Sequence, residues 1–264
     1  MARRIEFAPS ARPGILVADG IQINRLVYRS ILENAGCRVD LVGSGSEALA
    51  AIEGFGYDLA VLDIALSGLD GLALIRCIRA LPQPWRQMPV LAISADPVAS
   101  VRRTCLAAGA DDCLIKPFRC SDLKAAVARL LTGSGGAKLC PEPAPAADAA
   151  IEPLLDAEAL TRLGGDLGPE ALAGILVTFT QDMGIRLHRI AAAAASANLR
   201  ALVVESHAVS SCCRPLGALR LAQLCGTLES AALSGDCDQA LTLACAIGAV
   251  GADTLCALSG RVAA

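Results

Sequence analysis

The first 132 residues alternate short, continuously apolar runs with segments whose apolar residues recur at helical spacing. The run "GILVA" at 14–18 precedes the helical pattern "QINRLVYRSILENAG", and four further pairs of this kind follow. Strands that are apolar at every position are buried on both faces, which is typical of a parallel sheet covered by helices on either side. The pattern therefore predicts an α/β fold, a doubly wound five-stranded parallel sheet, over residues 12–132.

The remainder of the chain has a different pattern. Residues 133–150, "GSGGAKLCPEPAPAADAA", are rich in Gly and Ser and then in Pro and Ala, so this segment is predicted to be a flexible linker. No strand pattern follows it, and short breaks separate helical stretches at roughly 156–163, 169–195, 198–213, 217–233 and 237–260. Because several helices with short connections pack as an antiparallel bundle, residues 151–264 are predicted to form an all-α helical bundle.

Composition argues against several classes of protein. The net charge is −3 and no basic stripe is present, so we expect no nucleic acid partner. The most apolar segment, "LTLACAIGAVGADTLCAL", contains Asp253 and two glycines, so we expect no membrane span. The first residues carry no apolar stretch of the kind that a signal peptide needs. With 12 cysteines scattered without a CxxC pair, we expect reduced thiols and a cytoplasmic location.

Polar side chains follow four of the predicted strands at the point where each strand ends. They are Asp19, Asp63, Ser94 and Lys116, after the first, third, fourth and fifth strands. In an open parallel sheet, functional groups gather beyond the carboxyl ends of the strands. A carboxylate that attacks, with a lysine and a hydroxyl that stabilise charge on phosphoryl oxygens, suits phosphoryl transfer. A divalent cation held by acidic groups usually completes such a site.

Residues 14–132 resemble the receiver domain of a bacterial two-component response regulator. The resemblance rests on "ILVADGIQINR", "YDLAVLDIALSGLDG", "PVLAISA" and "GADDCLIKPF", which occur in the family's order and spacing. It implies a flavodoxin-like fold, a phosphoryl group on an aspartate and a cis peptide bond before Pro117. The site residues it implies are the phospho-acceptor Asp63, the phosphoryl-contacting Lys116, the switch hydroxyl Ser94, and a Mg²⁺ site at Asp19, Asp63 and the backbone carbonyl of Ala65.

The sequence departs from the family's pattern at four positions around this site. Gly20 stands where the family has the second of two adjacent acids, and Ile21 stands where it usually has Asn or Asp. Ser67 stands in place of a usual proline, and Cys113 stands in place of the aromatic residue that couples to the switch hydroxyl. In the family the second acid is a direct ligand, so Gly20 implies a weak Mg²⁺ site. Two hypotheses follow: a receiver phosphorylated at Asp63, or a degenerate receiver that works as a docking or inhibitory module.

The second half contains both histidines of the chain, His188 and His207. On a helical wheel of residues 198–213, Leu202 and Val209 share an apolar face and His207 falls well off it. His207 is therefore predicted to face solvent among small side chains, where an imidazole is partly neutral and nucleophilic at pH 7. His188 is also off its helix's apolar stripe, so position alone does not distinguish the two.

Residues 151–264 resemble a histidine-containing phosphotransfer (HPt) domain, a helical bundle that carries a phosphohistidine. The matching stretch is "HAVSSCCRPLGALRLAQLCGTLE", and it implies that His207 is the phosphoryl-accepting residue. The family's lysine three residues later is Ser210 here, and its glycine four residues later is Ser211. Arg200 or Arg214 would then have to stabilise the phosphoryl group in place of that lysine.

The two resemblances together predict a phosphorelay intermediate that passes a phosphoryl group between Asp63 and His207 sites. No kinase signature and no DNA-binding output domain is recognisable, so we expect a phosphotransfer protein rather than an enzyme. Its expected partners are a sensor histidine kinase, receiver domains of other regulators, or both.

Overall fold

A computed structural model of the chain describes residues 12–95, 99–133 and 152–262. The chain divides into two compact units, residues 1–140 and 141–264. Apart from Gly133, the predicted linker lies outside the described residues, so it stays a prediction.

The first unit is the predicted doubly wound parallel sheet. All neighbouring strands are parallel, in the order β2-β1-β3-β4-β5. A short 3₁₀ helix, Trp85–Gln87, precedes the fourth strand. The elements in chain order are β1 (Gly14–Ala18), α1 (Gln22–Asn34), β2 (Arg38–Val42), α2 (Gly45–Gly54), β3 (Leu59–Asp63), α3 (Gly71–Ala80), β4 (Val90–Ser94), α4 (Ala99–Ala108), β5 (Asp112–Ile115) and α5 (Cys120–Thr132).

The central strands β1, β3 and β4 are buried at every position, as continuously apolar runs require. Their side chains form the core with the inner faces of the flanking helices. The order of the strands reverses between β1 and β3, which is the point where a doubly wound sheet opens a crevice at its carboxyl edge. The fold therefore brings the ends of β1, β3, β4 and β5 to one edge.

The second unit is the predicted all-α bundle. Its helices are α6 (Ala157–Leu167), α7 (Pro169–Ala195), α8 (Leu199–Cys213), α9 (Leu219–Ser234) and α10 (Cys237–Val262). Helix α8 packs mainly against α9, and α10 packs against α7 and α9. Leu202 and Val209 on α8 are fully buried, as the helical wheel predicts, and Cys213 is buried with them.

Helix α6 runs four residues beyond its predicted end, because Gly164 and Gly165 do not interrupt it. The helix ends instead at Gly168, whose φ of 86° lies in the left-handed region that favours glycine. The Gly168 N–H donates to the Gly164 carbonyl, and Pro169 then opens α7 at the position where a proline is best tolerated.

Among the described helices, one is long and apolar enough to cross a membrane by length and composition alone, over Cys237–Gly260. Core helices of soluble proteins meet the same criterion. Ala240, Ile247 and Leu258 of this helix are buried within the bundle.

Candidate functional site

Asp19, Asp63 and Lys116 meet at the carboxyl edge of the sheet. The Lys116 Nζ lies 2.6 Å from Asp63 Oδ2 and 3.2 Å from Asp19 Oδ2. Both carboxylates are almost fully buried, whereas the lysine side chain keeps 11% of its surface exposed. The convergence that the strand ends predict is thus observed, with a protonated amine between two acids.

Backbone contacts fix the acidic groups and bring Ser94 to the same edge. The Ala65 N–H donates to Asp63 Oδ1 at 2.8 Å, and the Lys116 N–H donates to the Ser94 carbonyl at 2.7 Å. Ser94 itself is fully buried at the end of β4. The Lys116–Pro117 peptide bond is cis, as the resemblance implies. All the site residues predicted in this unit therefore lie together.

A close approach between α3 and the end of β3 requires glycine. Helix α3 begins at Gly71, and a Cβ there would collide with the backbone oxygen of Asp63. The absent side chain lets the start of α3 approach the backbone at the end of β3.

For both Asp19 and Asp63, burial raises the pKa of the carboxyl group and the charge of Lys116 lowers it. Burial raises the pKa of Asp19 to about 6, although Lys116 opposes the shift. Burial would also raise the pKa of Asp63, but the nearby Lys116 ammonium and the Ala65 N–H outweigh it, and the pKa lies below the ordinary value. Asp63 is therefore an ionised carboxylate near neutral pH, as a nucleophile must be.

Helix α1 supplies contacts that the sequence analysis missed. Asn24 Nδ2 donates to both carboxylate oxygens of Asp19, at 3.1 and 3.3 Å, and Arg25 Nη1 donates to the Asp19 carbonyl at 2.6 Å. The spacing of five and six residues from Asp19 puts both in the first turns of α1. A helix that begins directly after a strand end turns its first polar residues back toward that end.

Gly20 is exposed, and a Cβ built on it would meet nothing within 4 Å. Among the described residues, no three His, Cys, Asp or Glu side chains are grouped as metal ligands. Two buried carboxylates with one ammonium leave an excess negative charge, which favours binding of a cation. The donor set therefore fits Mg²⁺, with Asp63, Asp19 and the Ala65 carbonyl as the groups that would hold it.

His207 on α8 faces α9. Its Nδ1 lies 2.9 Å from Oε1 of Glu229, and 32% of the His207 side chain is exposed. The imidazole is thus less exposed than the sequence predicts, because a carboxylate covers part of it. Arg200 and Arg214, the expected phosphoryl-stabilising residues, are both exposed.

Glu229 is a further residue that the sequence analysis missed, and the turn between the helices contained the signal for it. When a short turn joins two antiparallel helices, the numbers of any two residues that face each other add up to a nearly constant sum. Gly226 faces the Ser210 hydroxyl, and both this pair and the pair of His207 with Glu229 sum to 436. The midpoint, 218, falls in the turn "PLGA" that the sequence shows.

Comparison with known families gives a match in each half of the chain. A model of the response regulator receiver domain matches residues 15–128, and a model of the Hpt domain matches residues 174–261. The chain carries a receiver domain and an Hpt domain. Asp63 lies within the first match, and His207 lies within the second.

The curated relatives that the chain matches include larger sensor proteins. The chain is 30% identical over 241 residues to the sensor protein GacS of Pseudomonas syringae pv. syringae, covering 87% of this chain and 26% of that protein. It is 32% identical over 220 residues to the sensor histidine kinase AruS of Pseudomonas aeruginosa, covering 83% of this chain and 21% of that protein. The chain thus spans about a quarter of the length of these relatives.

A solved structure similar to the receiver domain is that of a sensor histidine kinase receiver domain from Pseudomonas aeruginosa, with a magnesium ion coordinated in its active-site cleft. It is 34% identical and covers 46% of this chain and 99% of that one, with a TM-score of 0.44.

The Glu229 contact distinguishes the two ring nitrogens of His207. A carboxylate only accepts hydrogen bonds, so in the neutral form of the imidazole the proton lies on Nδ1. The lone pair of that form is then on Nε2, the nitrogen that Glu229 does not contact.

Replacing Glu229 by alanine is expected to slow phosphorylation of His207 about tenfold to a hundredfold, because a hydrogen bond to a charged group contributes ~1.5–3 kcal/mol. Glu229→Gln retains an acceptor and should keep more of the rate. The rate is measured with phosphoramidate, a small donor with a P–N bond, in an Asp63→Asn background. Equal rates in the wild-type and Glu229→Ala Hpt domains would contradict this role.

Proposed function

We propose that the chain is a phosphorelay intermediate in which Asp63 of the receiver domain and His207 of the Hpt domain each accept a phosphoryl group. The observation that carries the proposal is the contact of 2.6 Å between Lys116 Nζ and a buried, ionised Asp63. The test is whether the full chain acquires both an aspartyl phosphate and a phosphohistidine, each at the proposed residue.

The Asp63 step is a displacement at phosphorus. A carboxylate oxygen of Asp63 attacks the phosphoryl group, an O–P bond forms, and the P–N bond of a phosphohistidine or the P–O bond of acetyl phosphate breaks. Lys116, beside the attacking carboxylate, stabilises the negative charge on the phosphoryl oxygens, and Ser94 is the hydroxyl proposed to contact them. Mg²⁺, when bound by Asp63, Asp19 and the Ala65 carbonyl, supplies further positive charge.

The His207 step needs no proton transfer. Nε2 of the neutral imidazole attacks the phosphorus of a receiver's aspartyl phosphate, the P–O bond breaks, and the aspartate leaves as a carboxylate. The ring keeps its proton on Nδ1 and becomes positively charged, and the Glu229 carboxylate offsets that charge at 2.9 Å. The reverse step returns a neutral imidazole, so the same arrangement serves both directions of transfer.

Exposed apolar side chains next to His207 favour a protein partner for this step. Val204, one turn before His207, is 65% exposed, and Leu233, one turn after Glu229, is 69% exposed. By the pairing that joins His207 to Glu229, these two side chains lie on the same side of the helix pair. Apolar side chains exposed beside a reactive group are typical of a docking surface. We propose that receiver domains or a sensor histidine kinase dock there, in the cytoplasm, with no nucleic acid or membrane required.

A second candidate function is a receiver domain that only docks or inhibits, with phosphotransfer through the Hpt domain alone. The observation that favours it is Gly20, which leaves the described site without a third acidic ligand. The two candidates differ in one result, which is whether acetyl phosphate with magnesium modifies Asp63.

Restoring the missing acid is expected to strengthen magnesium binding. Gly20→Asp should raise the Mg²⁺ affinity at least about tenfold. Mg²⁺ is held mainly by carboxylates and waters, so one added carboxylate ligand strengthens its binding markedly. The open space around Gly20 accommodates the side chain. The affinity is measured by titration calorimetry, with Gly54→Asp, another open and exposed glycine, as the matched control. If the wild-type affinity equals that of Gly20→Asp, the glycine does not weaken the site.

A further inference from the structure

Helix α1 begins just after Asp19 and directs hydrogen-bond donors at the carboxylate of that residue. The Ile21 N–H donates to Asp19 Oδ1 at 2.8 Å. In the first turn of the helix, the amide nitrogen of Asn24 lies 3.3 Å from Oδ1 and 3.1 Å from Oδ2. The Lys116 Nζ lies 3.2 Å from Oδ2. Each oxygen of Asp19 therefore contacts two donor groups.

These donors use the full acceptor capacity of the Asp19 carboxylate. An ionised carboxylate has two oxygens and about four lone-pair sites. Ile21 and Asn24 face Oδ1, and Asn24 and Lys116 face Oδ2. A cation that binds Asp19 directly must therefore take the place of one of these donors.

Of the three donor groups, the Asn24 amide is the one that a cation displaces most readily. It is neutral, it stands at the end of a rotatable side chain, and its contacts with Asp19 are 3.1 and 3.3 Å long. The Ile21 N–H belongs to the backbone that opens α1. The Lys116 ammonium is charged, and Asp63 accepts from it at 2.6 Å.

We propose that Asn24 competes with Mg²⁺ for the Asp19 carboxylate. The inference rests on the magnesium site of the proposed function. While Asn24 holds both oxygens of Asp19, the cation meets Asp63 as its direct carboxylate ligand, and Asp19 becomes a second one only when the amide moves aside. Asn24 is thus a positioning residue that lowers the affinity of the site for the metal, in addition to the effect of Gly20.

Asn24→Leu tests the competition, because leucine has a similar size and shape and carries no donor. We expect the Mg²⁺ affinity of the full chain, measured by titration calorimetry, to rise about tenfold, which is what a hydrogen bond to a charged group is worth at the lower end. A purely structural role predicts the opposite sign, because a loosened site binds the ion more weakly. An affinity equal to or below that of wild type would overturn the proposal.

The matched control is Asn34→Leu, at an exposed asparagine in the last position of the same helix, and it should leave the affinity unchanged. Asn24 is 1% exposed, so Asn24→Ala is a second variant with the same expected rise, for use if leucine does not fold at this position. If the wild type binds too weakly to measure, measurable binding by either Asn24 variant supports the proposal, and its absence in all of them overturns it.

The second measurement follows the amide itself in the wild type, by NMR of the full chain labelled with ¹⁵N-asparagine. The asparagines of the chain are Asn24, Asn34 and Asn198, and the last two are exposed. Asn24→Ala assigns the Asn24 signal by removing it. We expect saturating Mg²⁺ to speed the exchange of the Asn24 side-chain hydrogens with water at least about tenfold, because the cation releases the amide from Asp19.

Exchange at Asn34 and Asn198 should not change when the metal is added. Exchange at Asn24 that is also unchanged at saturating Mg²⁺ would overturn the proposal. Neither calorimetry nor hydrogen exchange depends on phosphorylation. A failure of Asp63 to accept a phosphoryl group would therefore contradict the proposed function and leave the test of Asn24 intact.

Discussion

Replacing His207 by glutamine is expected to abolish phosphorylation of the Hpt domain, a loss of more than about a thousandfold. Glutamine is similar in size and retains an N–H that reaches Glu229, but its amide has no lone pair on nitrogen that attacks phosphorus. The measurement is incorporation of label from phosphoramidate into the full chain in an Asp63→Asn background, so that the receiver domain does not contribute.

The matched control is His188→Gln, at the other histidine of the chain. His188 is exposed on α7, and its replacement should leave labelling unchanged. Label that survives in His207→Gln, or that is lost in His188→Gln, would contradict the assignment of the phosphoryl-accepting histidine. A thermal unfolding curve of each variant separates loss of the nucleophile from loss of the fold.

Replacing Asp63 by asparagine is expected to abolish labelling of the receiver domain by acetyl phosphate and magnesium, again by more than about a thousandfold. The amide is neutral, so it neither attacks phosphorus nor holds Mg²⁺ as a carboxylate does. It also leaves Lys116 with one charged partner instead of two. Labelling is measured in a His207→Gln background, with and without EDTA, and the wild-type acceptor should need the metal.

Asp40→Asn serves as the control for Asp63→Asn. Asp40 lies on β2 and pairs with Arg38 at 2.8 Å, with roughly half of each side chain exposed, so its removal should change little. If Asp63→Asn labels as fast as Asp40→Asn, the receiver domain does not accept phosphate at Asp63. The docking or inhibitory function would then be the better account.

The placement of the side chains at the sheet edge was predictable from the sequence because parallel strands end at a common edge. Asp19, Asp63, Ser94 and Lys116 each stand at the carboxyl end of a mostly apolar strand, and no packing detail is needed to bring such strand ends together. The extents of the longer helices were also predictable, since Pro and Gly mark their ends, as at Pro169.

Contacts made across helix faces were not predicted. The contacts of Asn24 and Glu229 each depend on the rotation of a helix about its axis and on the neighbour against which it packs. Apolar periodicity fixes that rotation only to within about one residue. The His207–Glu229 pair was closest to prediction, because a short turn fixes the register of α8 against α9, whereas Lys116 reaches Asp19 from a strand 97 positions away in the chain.

The chemical stability of the phosphoryl linkages in the full chain tests the central claim most directly. An aspartyl phosphate is a mixed anhydride that hydroxide cleaves, whereas a phosphohistidine is stable in base and is cleaved in acid, where the ring is protonated and leaves readily. The full chain is labelled with radioactive phosphoramidate and magnesium, and samples are then treated with base, with acid as the treatment that removes both linkages. The account predicts both base-labile and base-stable label in the wild type, only base-stable label in Asp63→Asn, only base-labile label in His207→Gln, and none in the double variant. Base-labile label in Asp63→Asn, base-stable label in His207→Gln, or a wild type that carries only one kind of linkage would contradict it.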